Sequence, residues 1–133
     1  MTLVTTSRRS TPMIRAIAKD LAFATGARYL SRGKHGLREI AGEHDFFIVI
    51  EQYHTRIQML MYKEGEPCLV RTIVRYTRGT REGFMKRGIQ TSDRELGSLF
   101  ETEGCSVTYL DDKELTIHCD GPQRRCMTLV LEY

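Results

Sequence analysis

This chain of 133 residues has no long hydrophobic segment. A helix that spans a membrane needs about 18 or more consecutive apolar residues, and no run in the sequence approaches that length. The N-terminus also lacks the apolar segment of a secretory signal peptide. We therefore expect a soluble, cytoplasmic protein without membrane contact. With 41% apolar residues and no linker-like tract, the chain should form one compact domain.

Patterns that bind metals or carry catalysis are equally scarce. The four cysteines include no C-x-x-C pair, and the four histidines lack the spacing of a zinc site or of a catalytic group. Gly33 and Lys34 lack the G-x-x-x-x-G-K-[ST] spacing of a nucleotide-binding loop, and His35 replaces the hydroxyl that would hold magnesium. We expect no metal, no cofactor and no enzymatic activity.

The net charge of +3 conceals four alternating blocks of charge. Residues 1–40 and 71–94 carry +6 and +5, whereas residues 41–70 and 95–133 carry −3 and −5. Two basic zones that alternate with acidic ones are typical of a protein that presents a cationic surface to a polyanion. The alternative is that folding brings the acidic blocks against the basic ones, so that the charges balance.

Hydrophobic periodicity predicts a strand–helix–strand–helix–strand order in the first 50 residues. Strands are expected at 3–6, 27–30 and 46–50, and the last is apolar on both faces, as in a sheet that is covered on each side. The first helix should begin at Pro12, with Ser10 or Thr11 as its cap, and end at Gly26. The second should begin after Gly36.

The second half alternates in the manner of strands. A hairpin is predicted from residues 57–61 and 68–74, and further strands are expected at 115–119 and 127–133. Ser92 and Glu95 form a capping box for a short helix that ends at Gly104. Residues 77–88 contain three glycines and four basic residues, which predicts a loop.

Two basic turns precede the two N-terminal helices. Arg8 and Arg9 lie in the segment VTTSRRSTP, between a strand and a helix whose N-terminus attracts anions. Arg32 and Lys34 occupy the corresponding turn before the second helix. Because such turns share one edge of a parallel sheet, we expect these four side chains to converge on phosphate. The alternative is that they are only solvated.

Other basic residues extend this candidate surface. Arg71 and Arg75 are predicted to share one face of a strand with Ile73, and Phe84 lies among cations, where it suits base stacking. The alternative for Phe84 is that it anchors the loop on the core. The additional candidates for RNA contact are Arg15, Arg71, Arg75, Arg78, Arg81, Phe84, Lys86 and Arg87.

The segments LVTTSRRSTPMIRAIAKDLA and YLSRGKHGLREIA together resemble the N-terminal half of the Brix-domain family of ribosome-biogenesis proteins, especially its short archaeal members. The resemblance implies one α/β domain over residues 1–133. It would consist of two halves, about 1–62 and 63–133, each similar to the anticodon-binding domain of class IIa aminoacyl-tRNA synthetases. The family motifs fall on Arg8, Arg9, Arg32, Lys34 and Arg38.

The function that the resemblance implies is RNA binding without catalysis. The protein would assist processing of a ribosomal RNA precursor and assembly of a ribosomal subunit, with other assembly proteins as possible partners. One alternative is a protein-interaction scaffold whose basic zones bind acidic assembly factors. Another is an accessory domain that binds tRNA.

Overall fold

The computed structural model describes residues 2–32 and 36–133, which form one mixed sheet with three helices. In chain order, the elements are β1 (Leu3–Thr6), α1 (Pro12–Thr25), β2 (Arg28–Leu30), α2 (Leu37–Glu43), β3 (Phe46–Tyr53), β4 (Arg56–Lys63), β5 (Glu66–Thr80), β6 (Ile89–Thr91), α3 (Arg94–Thr102), β7 (Val107–Tyr109), β8 (Leu115–Asp120) and β9 (Arg125–Glu132). The predicted order of the first five elements is confirmed.

The sheet has the strand order β2-β1-β3-β4-β5-β9-β8-β6-β7. Strand β1 runs parallel to both β2 and β3, so the carboxyl ends of these three strands point the same way. The following strands β4 and β5 are antiparallel to their predecessors. The long β5 lies at the centre, because its first part pairs with β4 and its second part with β9.

Helix α1 follows from local signals at both of its ends. The Thr11 side chain accepts a hydrogen bond from the backbone N–H of Ile14 at 3.3 Å, and Pro12 occupies the first turn, where its missing N–H costs nothing. Gly26 ends the helix with a φ of 72°, which residues with a side chain rarely adopt. The helix therefore begins and ends where the sequence predicts.

The three helices cover both faces of the sheet. Helices α1 and α3 pack on one face, where Phe46 of β3 meets Phe100 of α3 edge to face, with ring centroids 6.4 Å apart. Helix α2 covers the other face, where Phe47 of β3 stacks on Tyr62 with centroids 4.7 Å apart. The prediction that β3 is covered on each side is confirmed, because successive residues of a strand point to opposite faces.

The structure differs from the sequence prediction in the second half. Strand β5 continues to Thr80, so the first four residues of the predicted loop 77–88 belong to a strand that pairs with β9. Strands β6 and β7, of three residues each, were not predicted. The cap of α3 is Asp93, whose carboxylate accepts from the N–H of Leu96 at 3.1 Å, whereas Ser92 lies outside the cap.

The cysteines lie in environments of contrasting access. Cys119 is buried, and burial raises the pKa of its thiol, whereas Cys68 is exposed. Burial also raises the pKa of the Cys68 thiol, so the contrast depends on access: at neutral pH a maleimide should label exposed Cys68 and leave buried Cys119 unmodified until denaturant is added. Mass spectrometry of the labelled peptides measures this difference. Labelling of Cys119 in the folded protein would contradict the placement of β8.

Candidate nucleic-acid interface

Two basic segments follow parallel strands at one edge of the sheet. The backbone N–H of Ser7, just after β1, donates to the carbonyl of Ile50 in β3 at 3.1 Å. Arg8 and Arg9 follow with exposed side chains, and half-buried Arg32 comes two residues after the end of β2. We call Arg8, Arg9 and Arg32 the basic rim. Lys34, the fourth predicted residue, lies outside the described residues.

Arg8 and Arg32 lie close enough to repel each other. Burial lowers the pKa of Arg32, and the positive charge of Arg8 lowers it further. The charges of Glu51 and Tyr62 act in the opposite direction and raise that pKa. A repulsion of this kind concentrates positive potential at the edge where β1 and β2 end, which is the arrangement that attracts an anion.

The second helix begins beside the basic rim. A guanidinium nitrogen of Arg8, Nη2, lies 3.8 Å from the position that a Cβ on Gly36 would take. Gly36 is the N-cap of α2, as predicted, and provides no side-chain hydrogen bond to that helix. Arg38 is exposed in the first turn of α2. The family motif residues that the structure describes are therefore all near or within the turns that precede the two helices.

Hydrogen bonds hold the two turns in place. The hydroxyl of Thr5 donates to the carbonyl of Leu30 at 2.6 Å and so ties β1 to the end of β2. The guanidinium of Arg15 donates from Nη1 to the carbonyl of Ser10 at 2.6 Å, which fixes the loop that carries Arg8 and Arg9. Arg15 thus supports the basic rim structurally, and its contact with RNA stays a prediction.

The prediction that Arg71 and Arg75 share one face of their strand is wrong. Arg71 is only 4% exposed, and its Nε donates to Oδ2 of Asp93 at 2.6 Å. A register shift in the pairing with β9 lies between Ile73 and Arg75, so the alternation of faces is interrupted there. Arg71 and Ile73 therefore point into the core while Arg75 is exposed, and Arg71 and Arg75 do not share a face.

Several other candidates in the second basic zone contact carboxylates or backbone carbonyls of the protein itself. Exposed Arg75 lies 3.7 Å from a carboxylate oxygen of Glu114. Arg78 is ion-paired with buried Asp20 at 3.4 Å. Half-buried Arg81 donates to the carbonyls of Gly121 at 3.0 Å and Arg125 at 3.3 Å, so its guanidinium holds the turn between β8 and β9. Their contacts with RNA stay predictions.

The segment between β5 and β6 presents an exposed aromatic ring. Phe84 is 99% exposed, so the alternative that it anchors this segment on the core is wrong. Lys86 and Arg87 are exposed beside it, and the backbone N–H of Lys86 donates to a carboxylate oxygen of Asp120 at 2.8 Å. An aromatic ring in water among cations has the chemistry needed to stack on an unpaired base.

The structure adds two residues that sequence reasoning missed. Asp20 of α1 is 1% exposed, and Arg125 of β9 donates to its Oδ1 at 3.0 Å. The available signal was an acidic residue in a helix among the buried positions Ile17 and Leu21. The partners of Asp20 are Arg78 and Arg125, which lie 58 and 105 residues further along the chain, so no local spacing reveals them.

Within residues 2–32 and 36–133, no group of three potential metal ligands comes together. No helix in the same ranges is long and apolar enough to cross a membrane.

A comparison of sequences connects the chain with a protein of known family. No family model matches the chain. A probable Brix domain-containing ribosomal biogenesis protein from Methanosarcina mazei is 37% identical over 73 residues, which cover 53% of this chain. The match spans 46% of that relative, less than half of its length. This similarity confirms the resemblance to the Brix-domain family that the N-terminal motifs indicate.

Two solved structures share the fold over nearly the whole chain. Mil, an archaeal Imp4-like protein, superposes with a TM-score of 0.64 at 18% identity, covering 98% of this chain and 97% of that one. A probable ribosomal biogenesis protein from Aeropyrum pernix K1 gives a TM-score of 0.66 at 20% identity, with coverage of 98% and 94%. The mixed α/β fold, with its large sheet and three helices, is therefore shared with these two proteins.

Proposed function

We propose that this protein is a cytoplasmic, non-catalytic ribosome-biogenesis factor that binds a ribosomal RNA precursor and assists its processing and subunit assembly. The observation that carries the proposal is that Arg8 and Arg32 follow the parallel strands β1 and β2 at the same edge of the sheet, where burial and the charge of Arg8 both lower the pKa of Arg32. Guanidinium groups bind phosphate through paired hydrogen bonds, and phosphate contacts provide most of the affinity for nucleic acid. The similarity to a Brix-domain protein supports the same role.

The proposed RNA surface excludes Arg71 because that side chain is buried. Its phosphate contacts come first from the basic rim and Arg38, and the exposed ring of Phe84 supplies a stacking surface. The remaining candidates are Arg15, Lys34, Arg75, Arg78, Arg81, Lys86 and Arg87. Other ribosome-assembly proteins are proposed as further partners.

We also propose that the domain consists of two related halves, each similar to the anticodon-binding domain of class IIa aminoacyl-tRNA synthetases. The order of strands supports this division, since β2-β1-β3-β4 lie on one side of β5 and β7-β6-β8-β9 on the other. In each half a helix connects two adjacent parallel strands, β1 to β2 through α1 and β6 to β7 through α3. Strand β5 joins the two groups of strands, because it pairs with β4 on one side and with β9 on the other.

Filter binding of ribosomal RNA fragments at several salt concentrations tests the proposed function. We expect log affinity to fall with log salt by about 0.7 to 0.9 for each phosphate that the protein neutralises. Competition with tRNA distinguishes an accessory domain for tRNA, which would release the ribosomal fragments at low tRNA concentration. Absence of salt-dependent RNA binding, with acidic proteins still captured from nuclease-treated extract, would favour the scaffold instead.

A further inference from the structure

A pocket of about 320 Å³ opens between α1, β5 and β9. Four basic side chains and one acidic side chain line it. They are Arg15, Lys19, Asp20, Arg78 and Arg125, together with Pro12 and Ala16. The charged residues of the lining sum to +3, so the pocket keeps a strong excess of positive charge after Asp20 is counted.

Asp20 fixes two of these cations. Its carboxylate is almost completely buried, and its two oxygens are shared between Arg125 Nη2 at 3.0 Å and Arg78 Nη2 at 3.4 Å. Each guanidinium has five N–H donors and uses Nη2 for this contact, while the side chains of Arg78 and Arg125 stay 42% and 36% exposed. The buried carboxylate thus orients both groups while leaving donors for a ligand.

The pocket lies beside α1, between cations that are near the two ends of this helix. Helix α1 has 14 residues and is therefore about 21 Å long. Its N-terminus follows Arg8 and Arg9, and its C-terminal residues Phe23 to Gly26 line a second pocket together with Lys86 and Arg87. Because Arg15 and Lys19 lie between these ends, the pocket links the basic rim to the exposed segment that carries Phe84.

We propose that this pocket binds a phosphate group of the RNA backbone, with Arg15, Lys19, Arg78 and Arg125 as donors and Asp20 as a positioning residue. This inference rests on the proposed function and adds a second phosphate site to the basic rim. Planar guanidinium groups match the geometry of phosphate oxygens, and the excess positive charge of the pocket attracts the polyanionic backbone of RNA. RNA bound along α1 would then contact the rim, the pocket and the Phe84 segment in turn.

The test removes the two cations on α1 and keeps the Asp20 ion pairs. In R15A/K19A, the salt slope of RNA binding should fall by about 0.7, and affinity near about 0.1 M salt should fall about fivefold, as expected for one lost phosphate contact. The control R28A/K113A removes the same charge from exposed positions outside the pocket and should keep the wild-type slope.

A second variant avoids the loop that Arg15 supports. Lys19 is exposed, and its ammonium group lies 5.6 Å from the ring centroid of Tyr29. The variant K19E should therefore keep the fold and weaken RNA binding at least as much as R15A/K19A. Thermal unfolding checks both variants. Unchanged slopes in R15A/K19A and K19E, with wild-type RNA binding intact, would overturn the pocket and leave the proposed function standing.

Titration with inorganic phosphate gives a readout independent of RNA. The side-chain Nε–Hε signals of Arg78 and Arg125 in NMR spectra should shift with phosphate in the wild type and not in K19E. If these signals shift while the wild type fails to bind RNA, the pocket stands as an anion site and the proposed function fails. If K19E loses an acidic protein partner and keeps full RNA affinity, the assignment to RNA is overturned.

Discussion

Arg71→Ala should lower the free energy of unfolding by about 3–5 kcal/mol, because it removes one partner of a buried ion pair and leaves the other charged. The side chains of Arg71 and Asp93 are 5% and 2% exposed, and two hydrogen bonds join them, at 2.6 and 3.3 Å. The substitution also removes the guanidinium that lies 4.5 Å from the ring centroid of Tyr133. Urea unfolding followed by circular dichroism measures the change.

Arg75→Ala is the matched control on the same strand. Its guanidinium is exposed and lies 3.7 Å from exposed Glu114, a type of pair that contributes about 0–1 kcal/mol. The double variant R71M/D93N should recover part of the loss, because it removes both buried charges while asparagine still caps α3. Equal effects of Arg71→Ala and Arg75→Ala would contradict the burial of Arg71 and the register shift in β5.

The N-terminal part of the fold was predictable because its signals are local. Thr11, Pro12 and Gly26 mark the ends of α1 within the sequence itself, and β3 is a continuous apolar run. The extent of β5 was not predictable, because its last residues are strand only through pairing with β9, some 45 to 50 residues further along the chain. Likewise, the register shift beside Val74 leaves no mark on the alternation of residue types, and it puts Arg71 and Arg75 on different faces. The burial of Arg71 depends on its pairing with Asp93, which no local pattern reveals.

The candidate site was predictable where topology alone decides it. Parallel strands end at the same edge of a sheet, so a basic turn after β1 and another after β2 had to be neighbours, and the proximity of Arg8 and Arg32 follows. The pocket was not predictable, because Asp20 meets Arg78 and Arg125 only after the whole sheet has formed. A single sequence therefore predicts basic turns between local elements, but it does not predict ion pairs between residues that are distant along the chain.

The alternative that acidic and basic blocks neutralise each other holds for part of the molecule. In the second basic zone, Arg75 pairs with Glu114 and Arg71 also lies 3.6 Å from Glu95, and both carboxylates belong to the acidic block 95–133. Among the residues that the structure describes, no ion pair involves Arg8 or Arg9. Positive charge therefore remains at Arg8 and Arg9, and the charged residues that line the Asp20 pocket sum to +3, so substitutions in both places should weaken RNA binding.

The triple variant R8A/R9A/R32A should lose most of the salt-dependent affinity for RNA. If each of the three arginines neutralises one phosphate of a single strand, the salt slope falls by about 2, and affinity near about 0.1 M salt falls about a hundredfold. Filter binding across a salt series measures both quantities. Thermal unfolding shows whether the loss of Arg32, which is half buried, has disturbed the turn before α2.

The control for this variant separates position from net charge. R28A/R94A/K113A removes three exposed cations from outside the basic rim, so both triple variants change the formal net charge from +3 to zero. Nonspecific attraction of a positive protein to a polyanion would weaken RNA binding equally in the two variants, whereas a phosphate site at the ends of β1 and β2 requires the loss to follow position. Equal losses of RNA affinity in the two variants would therefore remove the basic rim from the binding site. If guanidinium groups at this edge of the sheet bind phosphate, R8A/R9A/R32A should lose much more affinity than the control.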